Sequence, residues 1–355
     1  MAIDESRAPK FRYLHIVQYS VHLENYSNST SDILKRAVLE IERQDFETIA
    51  WDVFRLQSKH NLVYRDFLSL IEIDFRSITS LHDIPLLPIS TFKHRTVQCG
   101  AWEPKVVFRS SGTSQTRRSN HFVKDLNFYQ QLTHKAYLQA TALSPFHTIL
   151  ALLPTYQSKM DSSLLAMIDH LMQECDPLYS EYITFEKLLD TRWLSRQCAS
   201  NQKVVLWTIP LILEKIIERQ ISLPSNLIVI ETGGMKGLKS EPPREFFHEL
   251  FKKTTGVDQV WSEYGMSELF SQDYCFYDNY QPVPTLKMMP KRIDDPLSEP
   301  NFGTTSQIGC IDLANIDTCS FILSEDIGIV SENDTVKLLG RLDNADIRGC
   351  NLIFN

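Results

Sequence analysis

The sequence lacks any stretch approaching the ~18 uninterrupted apolar residues that a membrane-spanning helix needs. Its first residues carry charge and are followed by no apolar run, which argues against a signal peptide. No two of the seven cysteines stand at CxxC or a similar metal-ligand spacing, so a cysteine-based zinc site is not expected. Basic residues are outnumbered, with 36 Lys and Arg against 44 Asp and Glu, which disfavours a broad nucleic-acid surface. We therefore expect a cytoplasmic protein with reduced thiols, no nucleic-acid partner and no membrane span.

Length and composition are typical of a globular protein with a sizeable core. The 355 residues are too many for one ordinary domain, and 43% of them are apolar while 23% are charged. We predict an N-terminal arm and helix over 1–44, an α/β core over 45–280 and a β-rich subdomain over 281–355. Residues 1–31 are polar and predict a poorly packed arm, whereas apolar spacing of three and four over 32–73 predicts helices.

The middle of the chain alternates between apolar runs and amphipathic stretches. Strands are predicted over Thr148–Leu153, Val204–Thr208, Leu227–Ile230 and Val260–Tyr264, with helices over Ser163–Met172, Leu211–Gln220 and Pro243–Thr254. Shorter strands are predicted at Val106–Phe108, Ile308–Leu313, Ser320–Leu323 and Thr335–Leu339. Strand–helix–strand units at this spacing indicate right-handed crossovers and a parallel sheet. Because ligands of such sheets bind beyond the carboxyl ends of the strands, the loops at those ends are the candidates for a functional site.

Two loops that follow predicted strands are rich in small or hydroxyl-bearing residues. Phe108–Ser119 reads FRSSGTSQTRRS, in which hydroxyls and backbone N–H groups can surround an anion while Arg117 and Arg118 neutralise charge. It lacks the GxxxxGK[ST] pattern of a Walker loop. Glu231–Gly237 reads ETGGMKG, whose adjacent glycines permit close approach of a flat ligand and whose Lys236 can meet an anion. Taken alone, each loop is more often an ordinary turn.

Two later segments carry further candidates. Trp261–Leu269 reads WSEYGMSEL, where Tyr264 can stack on a base and Glu268 can bind a divalent cation, although a lone acidic residue there also suits an exposed helix start. Near the end of the sequence, Asp326 in SEDIG can accept hydrogen bonds from a ribose diol. The segment Leu339–Cys350 reads LGRLDNADIRGC. Each signal is weak by itself, but their order and spacing make them strong together.

Five segments of the sequence, taken in order, resemble the motifs of the adenylate-forming superfamily of acyl-activating enzymes. They read SSGTS, ETGGMKG, SEYGMSE, SEDIG and GRLDNADIRG. Within it, the sequence is most similar to the LuxE-like acyl-protein synthetases, which are related to phenylacetate–CoA ligases. The resemblance runs from about residue 45 to the end and includes Ile84–Lys93 and Asp312–Phe321. It implies an α/β fold, that of the large N-terminal domain of adenylate-forming enzymes. Parallel sheets would be flanked by helices, a small β subdomain would follow, and 45–280 would be the adenylation core.

The resemblance also implies a site for ATP and Mg²⁺, by position in the motifs. The nucleotide-binding residues would be Ser110, Ser111, Gly112, Thr113 and Ser114 around the phosphates, Gly233, Gly234 and Tyr264 (with its neighbour Gly265) around the adenine, Ser267 at the phosphate, and Asp326 and Arg341 at the ribose. Arg117 would assist the phosphate loop, Glu268 would bind Mg²⁺, and Asp343 would lie at an interdomain hinge.

Two departures from the family pattern bear on activity. Gln115 stands where the phosphate loop usually has its last glycine, which puts tight triphosphate binding in doubt. Full-length relatives continue into a lid domain with a catalytic lysine, whereas this sequence ends at Asn355, so we expect the C-terminal lid domain to be absent. Acyl-protein synthetases share the short ending and carry an acyl-accepting cysteine near it, which Cys350 matches. Arg348 beside it would favour the thiolate, while the alternative is a small buried apolar residue.

The predicted function is ATP-dependent activation of a carboxylic acid as an acyl adenylate, followed by acyl transfer to a thiol. Cys350 would accept the acyl group, and Glu268 and Arg117 would be the other catalytic residues. One alternative sends the acyl group to coenzyme A or a carrier-protein thiol and leaves Cys350 structural. A second is a degenerate nucleotide-binding scaffold without turnover, which Gln115 and the missing lid would favour.

The acid itself is barely specified by the sequence. An apolar stripe is long enough to line a slot for a fatty acid, but it is at least as typical of a helix packed in a core. Its members are Leu164, Leu165, Met167, Ile168 and Leu171. The expected partners are the acid and an acyl acceptor or reductase protein, and the sequence does not determine the oligomeric state.

Overall fold

Six strands from the middle of the chain form one sheet in the computed structural model of the protein. The structure describes residues 27–74, 77–110, 117–153, 161–199, 202–233, 242–298 and 301–342. In spatial order the strands are β5 (Glu181–Tyr182), β4 (Thr148–Ala151), β6 (Val204–Thr208), β7 (Ile228–Thr232), β8 (Gln259–Tyr264) and β9 (Asp273–Cys275). All neighbouring pairs are parallel except β8 and β9. The parallel sheet is therefore confirmed, with an antiparallel edge strand that the sequence did not indicate.

Helices cover both faces of this sheet. On one face lie α4 (Leu126–Thr141) and α5 (Ser163–Cys175), packed against alternate residues such as Trp207 and Ile230. On the other lie α6 (Phe185–Leu188), α7 (Thr191–Cys198), α8 (Pro210–Glu218) and α9 (Arg244–Thr255), packed against the intervening residues such as Leu206 and Val229. Side chains alternate between the faces of a strand, and both faces are covered, which explains why these strands read as continuous apolar runs.

Local signals set the ends of the helices. The Asp125 side chain accepts from the N–H of Phe128 and so caps α4, and Ser162 caps α5 in the same way. Pro210 opens α8 at its first turn, where the missing N–H costs no hydrogen bond. Gly256, at φ +85°, ends α9 in the left-handed conformation that glycine adopts without strain.

A second, five-stranded sheet is built mainly from the last part of the chain. Its strands are β1 (Leu87–Pro88), β10 (Leu286–Lys291), β11 (Thr305–Asp312), β12 (Phe321–Val330) and β13 (Val336–Arg341), joined in the order β1-β12-β11-β10 with β13 also on β12. Pro290 lies within β10, opposite Ile308. The prolines of this region predicted interruptions rather than a strand; Pro290 is accommodated because β10 is an edge strand, where a missing N–H costs least. A separate ribbon pairs β2 (Val106–Arg109) with β3 (Asn120–Val123).

The first described helices pack against a buried turn of the second sheet. They are α1 (Asn28–Leu39), α2 (Phe46–His60) and α3 (Leu62–Leu70). The Gln57 amide donates to the carbonyls of Asn315 and Ile316, and Ser31 donates to Asp317 at 2.6 Å. Ser31 is buried, so α1 begins earlier and packs better than the arm predicted up to residue 31. Among the described helices, none combines the length and the apolar character that crossing a membrane requires.

Candidate active site

Three of the predicted nucleotide-binding residues meet where the two sheets adjoin. Tyr264, the last residue of β8, donates its hydroxyl to Asp326 Oδ2 at 2.8 Å. Arg341 lies opposite Asp326 in the β12–β13 pair, and its Nε is 2.9 Å from Asp326 Oδ1. Burial raises the pKa of the Asp326 carboxyl, and the Arg341 charge and the Tyr264 hydrogen bond oppose that rise. Since a carboxylate oxygen can accept more than one hydrogen bond, Asp326 can still receive both hydroxyls of a diol.

Glu268 lies close to the end of the hydroxyl-rich loop. Its carboxyl is buried and accepts a hydrogen bond from the Ser119 side chain. Burial raises the pKa of this carboxyl, while the Ser119 hydrogen bond and the charges of Arg341 and Lys93 act in the opposite direction. The Tyr264–Glu268 segment and the end of the hydroxyl-rich loop therefore lie side by side, although 145 residues separate Ser119 from Tyr264 in sequence.

A buried turn holds the segment that carries Glu268. Asp312 accepts from the N–H groups of Phe270 and Ser271 at 2.7 and 3.1 Å, and Asn315 donates to the carbonyl of Glu268 at 2.8 Å. His121 lies 2.7 Å from the carbonyl oxygen of Ser267 through Nδ1. Burial lowers the pKa of His121 to about 4, so the ring is neutral at neutral pH and acts as a hydrogen-bonding support rather than a charge.

The two ends of the hydroxyl-rich loop are tied together. The N–H of Ser119 donates to Ser110 Oγ at 3.0 Å, and Arg118 donates to the carbonyls of Ser110 and Arg109. Arg118 also pairs with Asp161 at 3.0 Å. Arg118 therefore holds the two ends of the loop together. Arg117, its neighbour in sequence, is exposed to solvent. Of the predicted phosphate-binding residues, Ser111, Gly112, Thr113 and Ser114 lie outside the described residues, as does Gln115.

Gly233 begins a turn at the carboxyl end of β7. Its φ of +102° is one that residues with a Cβ rarely adopt, which explains glycine at this position. Arg244, the first residue of α9, donates to the Gly233 carbonyl at 3.2 Å and pairs with Glu231 through Nε, also at 3.2 Å. The turn is therefore held by a buried ion pair behind it. Gly234 lies beyond the part of the chain that the structure describes.

The remaining predicted residues are placed as follows. Gly265 is exposed, and a Cβ there would meet the end of the Glu263 side chain, which would have to shift. Ser267 is half-buried beside Glu268. Cys350 and Asp343 fall outside the described residues.

The apolar stripe of α5 faces the core in its deeper part. Met167, Ile168 and Leu171 are at most 1% exposed, while Leu164 and Leu165 are half-buried and pack against them. These contacts match the core alternative for this stripe.

Sequence reasoning missed Lys93, Arg244 and Asn315. Lys93 Nζ is 3.9 Å from Glu325 Oε1. The positive charge of Lys93 also lowers the pKa of Glu268, the candidate ligand of Mg²⁺. The only signal for it was its place at the end of Ile84–Lys93. Arg244 and Asn315 act through contacts with residues distant in sequence and carried no signal.

Glu268 can be tested as a residue that would hold Mg²⁺. No group of three His, Cys, Asp or Glu side chains able to hold a metal ion occurs among the residues described. Mg²⁺ in nucleotide sites is usually bound by one or two carboxylates together with phosphate oxygens and water. A single buried carboxyl with one hydroxyl donor fits that mode and does not fit an all-protein cage.

Comparisons with known proteins agree with this architecture. A family model described as acyl-protein synthetase, LuxE, matches residues 32–355. The structure of an open conformation of 2-hydroxyisobutyryl-CoA ligase, in complex with 2-HIB-AMP and CoA, is similar with a TM-score of 0.60 and 13% identity, over 87% of this chain and 70% of that one. An ATP-bound RpMatB–BxBclM chimera is similar with a TM-score of 0.50 and 15% identity, over 68% of this chain. The match covers 49% of the chimera, so the aligned region is about half of its length.

At these identities the likeness shows the fold alone. The predicted α/β fold class, with parallel strands flanked by helices and a β-rich part after them, is confirmed. A comparison with curated protein sequences finds no match.

Proposed function

The chain belongs to the acyl-protein synthetase (LuxE) family, and from that membership we propose that it activates a carboxylic acid with ATP and passes the acyl group to a thiol. In the first step a carboxylate oxygen bonds to the α-phosphorus of ATP, and pyrophosphate leaves with the electron pair of the broken P–O bond. In the second step a thiolate sulfur bonds to the acyl carbon, and AMP leaves. Both steps require positioning and charge neutralisation more than a strong acid or base.

In this proposal the described residues bind and orient the nucleotide. Asp326 and Arg341 hold the ribose hydroxyls, and Tyr264 keeps Asp326 in place while its ring borders the adenine. Gly233 provides backbone at the purine. Ser110 and Arg117 act at the phosphates together with Ser111, Gly112, Thr113 and Ser114, and Gly234 extends the purine wall. Glu268 holds Mg²⁺, which supplies positive charge to the phosphates when bound.

The acceptor thiol that we propose is Cys350. The other six cysteines are buried, which supports this choice by elimination. Burial raises the pKa of the Cys198 thiol to about 11 and that of Cys319 to about 12, so these two remain protonated and poorly nucleophilic near neutral pH. Cys350 as acceptor would make the protein an acyl carrier for a downstream acyl acceptor or reductase. Whether the acid is a fatty acid is a separate question, since most of the α5 stripe packs in the core.

One observation carries the proposal. Tyr264 on β8 and Arg341 on β13 contact the Asp326 carboxylate on β12, at 2.8 and 2.9 Å respectively. Ser119, at the end of the hydroxyl-rich loop, contacts Glu268. Parts of the chain remote in sequence therefore form one polar site beyond the carboxyl ends of the strands, where ligands of such sheets bind.

The test separates the two steps. We expect carboxylate-dependent exchange of pyrophosphate into ATP, and stable labelling of the protein by the acyl group in intact-mass spectra. Cys350→Ser should keep the exchange and lose the label, and Cys198→Ser, a buried thiol, should keep both. A thioester that survives in Cys350→Ser would contradict the assignment of the acceptor.

Glu268→Gln tests the first step. It should lose both exchange and label because the charge beside the phosphates is removed, whereas Glu332→Gln, in the exposed turn between β12 and β13, should change neither. Unaltered exchange in Glu268→Gln would remove the metal role. Free acyl-CoA formed on addition of coenzyme A, without labelled protein, would instead favour the ligase alternative.

A further inference from the structure

The last two residues of β8 direct their side chains to opposite faces of the sheet. Tyr264 points towards Asp326 and the proposed nucleotide site. Glu263 points to the face covered by α4, where the Thr232 hydroxyl on β7 donates to its carboxyl. The strand β8 thus separates the nucleotide site from a second compartment that the proposed chemistry has not yet used.

Polar atoms without hydrogen-bond partners lie on the same face of the sheet as Glu263. Trp207 Nε1, Gln272 Oε1 and the Tyr274 hydroxyl are buried, and none has a hydrogen-bond partner among the residues that the structure describes. Tyr274 lies directly opposite Glu263 in the β8–β9 pair, and its ring centroid is 6.4 Å from that of Trp207. The Gln272 side chain packs 3.5 Å from the position of a Cβ on Gly265, on the same side as the Glu263 carboxyl. We call Trp207, Glu263, Gln272 and Tyr274 the polar floor.

Buried polar atoms in proteins are nearly always hydrogen-bonded, so three such atoms beside a buried carboxyl call for an explanation. Charge provides only part of one: the charge of Arg244 on α9 lowers the pKa of Glu263, but Arg244 forms its ion pair with Glu231 on the other face. Burial raises the pKa of Glu263 to about 7, against the effect of the Thr232 hydrogen bond. Among the residues that the structure describes, no cation forms an ion pair with the Glu263 carboxyl.

The chemistry of the polar floor defines what it can bind. Trp207 Nε1 only donates, Gln272 Oε1 only accepts, and the Tyr274 hydroxyl and a protonated Glu263 do both. An alcohol or phenol hydroxyl donates and accepts at once and so matches such a mixed set. A plain hydrocarbon chain would leave every one of these atoms unpartnered, and the rings of Trp207 and Tyr274 would provide apolar contact for the rest of the molecule.

We propose that the polar floor binds a hydroxyl group carried by the carboxylic acid substrate, so that the enzyme activates hydroxy acids in preference to unsubstituted ones. The inference rests on the proposed function. Within the polar floor, Glu263 directly precedes Tyr264 in sequence, and its carboxyl lies against Gly265. An acid anchored there by its hydroxyl can therefore extend its carboxylate towards the Ser267–Glu268 segment and the α-phosphate.

The experiment compares acids that differ by one hydroxyl. Pyrophosphate–ATP exchange is measured with 4-hydroxybenzoate and benzoate, 3-(4-hydroxyphenyl)propanoate and 3-phenylpropanoate, and 10-hydroxydecanoate and decanoate. A site built to hydrogen-bond a substrate hydroxyl rejects the analogue that lacks it strongly, so we expect kcat/KM to favour the hydroxy acid about a hundredfold or more in at least one pair. A ratio below about ten in every pair overturns the inference and leaves the proposed function standing. No exchange with any acid overturns the proposed function itself, and this inference with it.

Two tyrosine variants locate the effect. Tyr274→Phe removes an unpartnered hydroxyl and should reduce the hydroxyl preference about tenfold or more. Tyr137→Phe is the matched control, because its hydroxyl already pairs with His147 at 2.7 Å, and it should leave the preference as it is. Glu263→Gln gives a second, isosteric probe of the floor if Tyr274→Phe does not fold. A preference that survives unchanged in both Tyr274→Phe and Glu263→Gln would place the hydroxyl elsewhere and overturn the inference.

Discussion

Two glutamates on neighbouring strands of the same sheet are buried to nearly the same extent, and yet their pKa values shift in opposite directions. Glu231 on β7 is 0% exposed and Glu263 on β8 is 4% exposed. Burial opposes ionisation of both, but the charge of Arg244, then His248, holds the pKa of Glu231 below its ordinary value. For Glu263, burial raises the pKa to about 7, although the Thr232 hydrogen bond and the more distant Arg244 charge oppose the rise.

The difference shows that the neighbouring charged group, rather than the depth of burial, decides the direction in which the pKa of a buried carboxyl shifts. Glu231 is a permanent charge that fixes Arg244 and, through it, the Gly233 turn. Glu263 changes its charge near neutral pH and lies among atoms without partners. The Glu231 face of the sheet end therefore contains a buried ion pair that supports the nucleotide site, although Glu231 Oε2 and His248 Nε2 also lack hydrogen-bond partners. On the Glu263 face, the carboxyl forms no ion pair among the described residues, and a ligand can supply the missing hydrogen bonds.

The largest effect is expected from breaking the ion pair between Glu231 and Arg244. Glu231→Gln leaves the Arg244 guanidinium buried without its counter-charge, which should lower the free energy of unfolding by about 3–5 kcal/mol. Urea denaturation at pH 8 measures it, with Glu263→Gln as the matched amide substitution on the next strand. If Glu231→Gln were no more costly than Glu263→Gln, the assignment of the two faces would be wrong.

The next largest effect is a change of the free energy of unfolding with pH, which we expect from the titration of Glu263. The unfolded chain releases this proton near the ordinary pKa of 4.5, whereas the folded protein keeps it to about pH 7. The folded state therefore binds more protons in that window, and stability falls as pH rises through it, by about 3 kcal/mol in total. Glu263→Gln should remove this loss, so its stability relative to the parent should rise between pH 4.5 and 8 in urea titrations. A constant difference across that range would show that Glu263 is ionised throughout.

Lys93 gives a smaller effect that belongs to the nucleotide face alone. Lys93→Gln removes a positive charge that reaches Glu268, and we expect the KM for ATP to rise about tenfold, which corresponds to ~1.4 kcal/mol, with the preference among acids unchanged. Lys203→Gln, an exposed lysine just before the start of β6, is the control. A change in acid preference in Lys93→Gln would mean that the two compartments are not separate.

The smallest effect compares two buried tyrosines of one aromatic cluster. Tyr137→Phe loses the hydrogen bond to His147 and should cost about 1 kcal/mol of unfolding free energy. Tyr274→Phe removes a hydroxyl without a partner and should cost less than about 0.5 kcal/mol, or stabilise the protein. Equal losses in urea denaturation would indicate that the Tyr274 hydroxyl is hydrogen-bonded in solution.

Much of the sheet could be predicted because its strands are apolar runs bounded by polar loops. Val204–Thr208 was predicted as observed, and β7, β8 and α9 differ from prediction by one or two residues at their ends. The antiparallel β9 was missed because three residues are too few for a periodic signal. The strand around Pro290 was missed because proline is read as an interruption unless the strand is known to lie at an edge.

The candidate site divides in the same way. Asp326, Arg341 and Tyr264 were predicted from motifs and meet in the structure, since motif order reports the strand ends that the topology brings together. Arg118 was considered, with Arg117, as a charge for an anion, and the structure shows that it pairs with Asp161, a residue 43 positions away that no local pattern connects to it. The same holds for Arg244 and Asn315, whose roles depend on contacts between distant segments.

The sequence by itself determined the family, the parallel sheet and the order of the polar loops at its edge, because apolar periodicity and local motifs are properties of adjacent residues. It could not distinguish Glu231 from Glu263, which are both glutamates at the end of a strand beside a glycine motif. That distinction was decided by the tertiary structure, which pairs Arg244 with Glu231 and places the Thr232 hydroxyl against Glu263. A charge in a buried place is set by its neighbours in space, and the chain order does not record them.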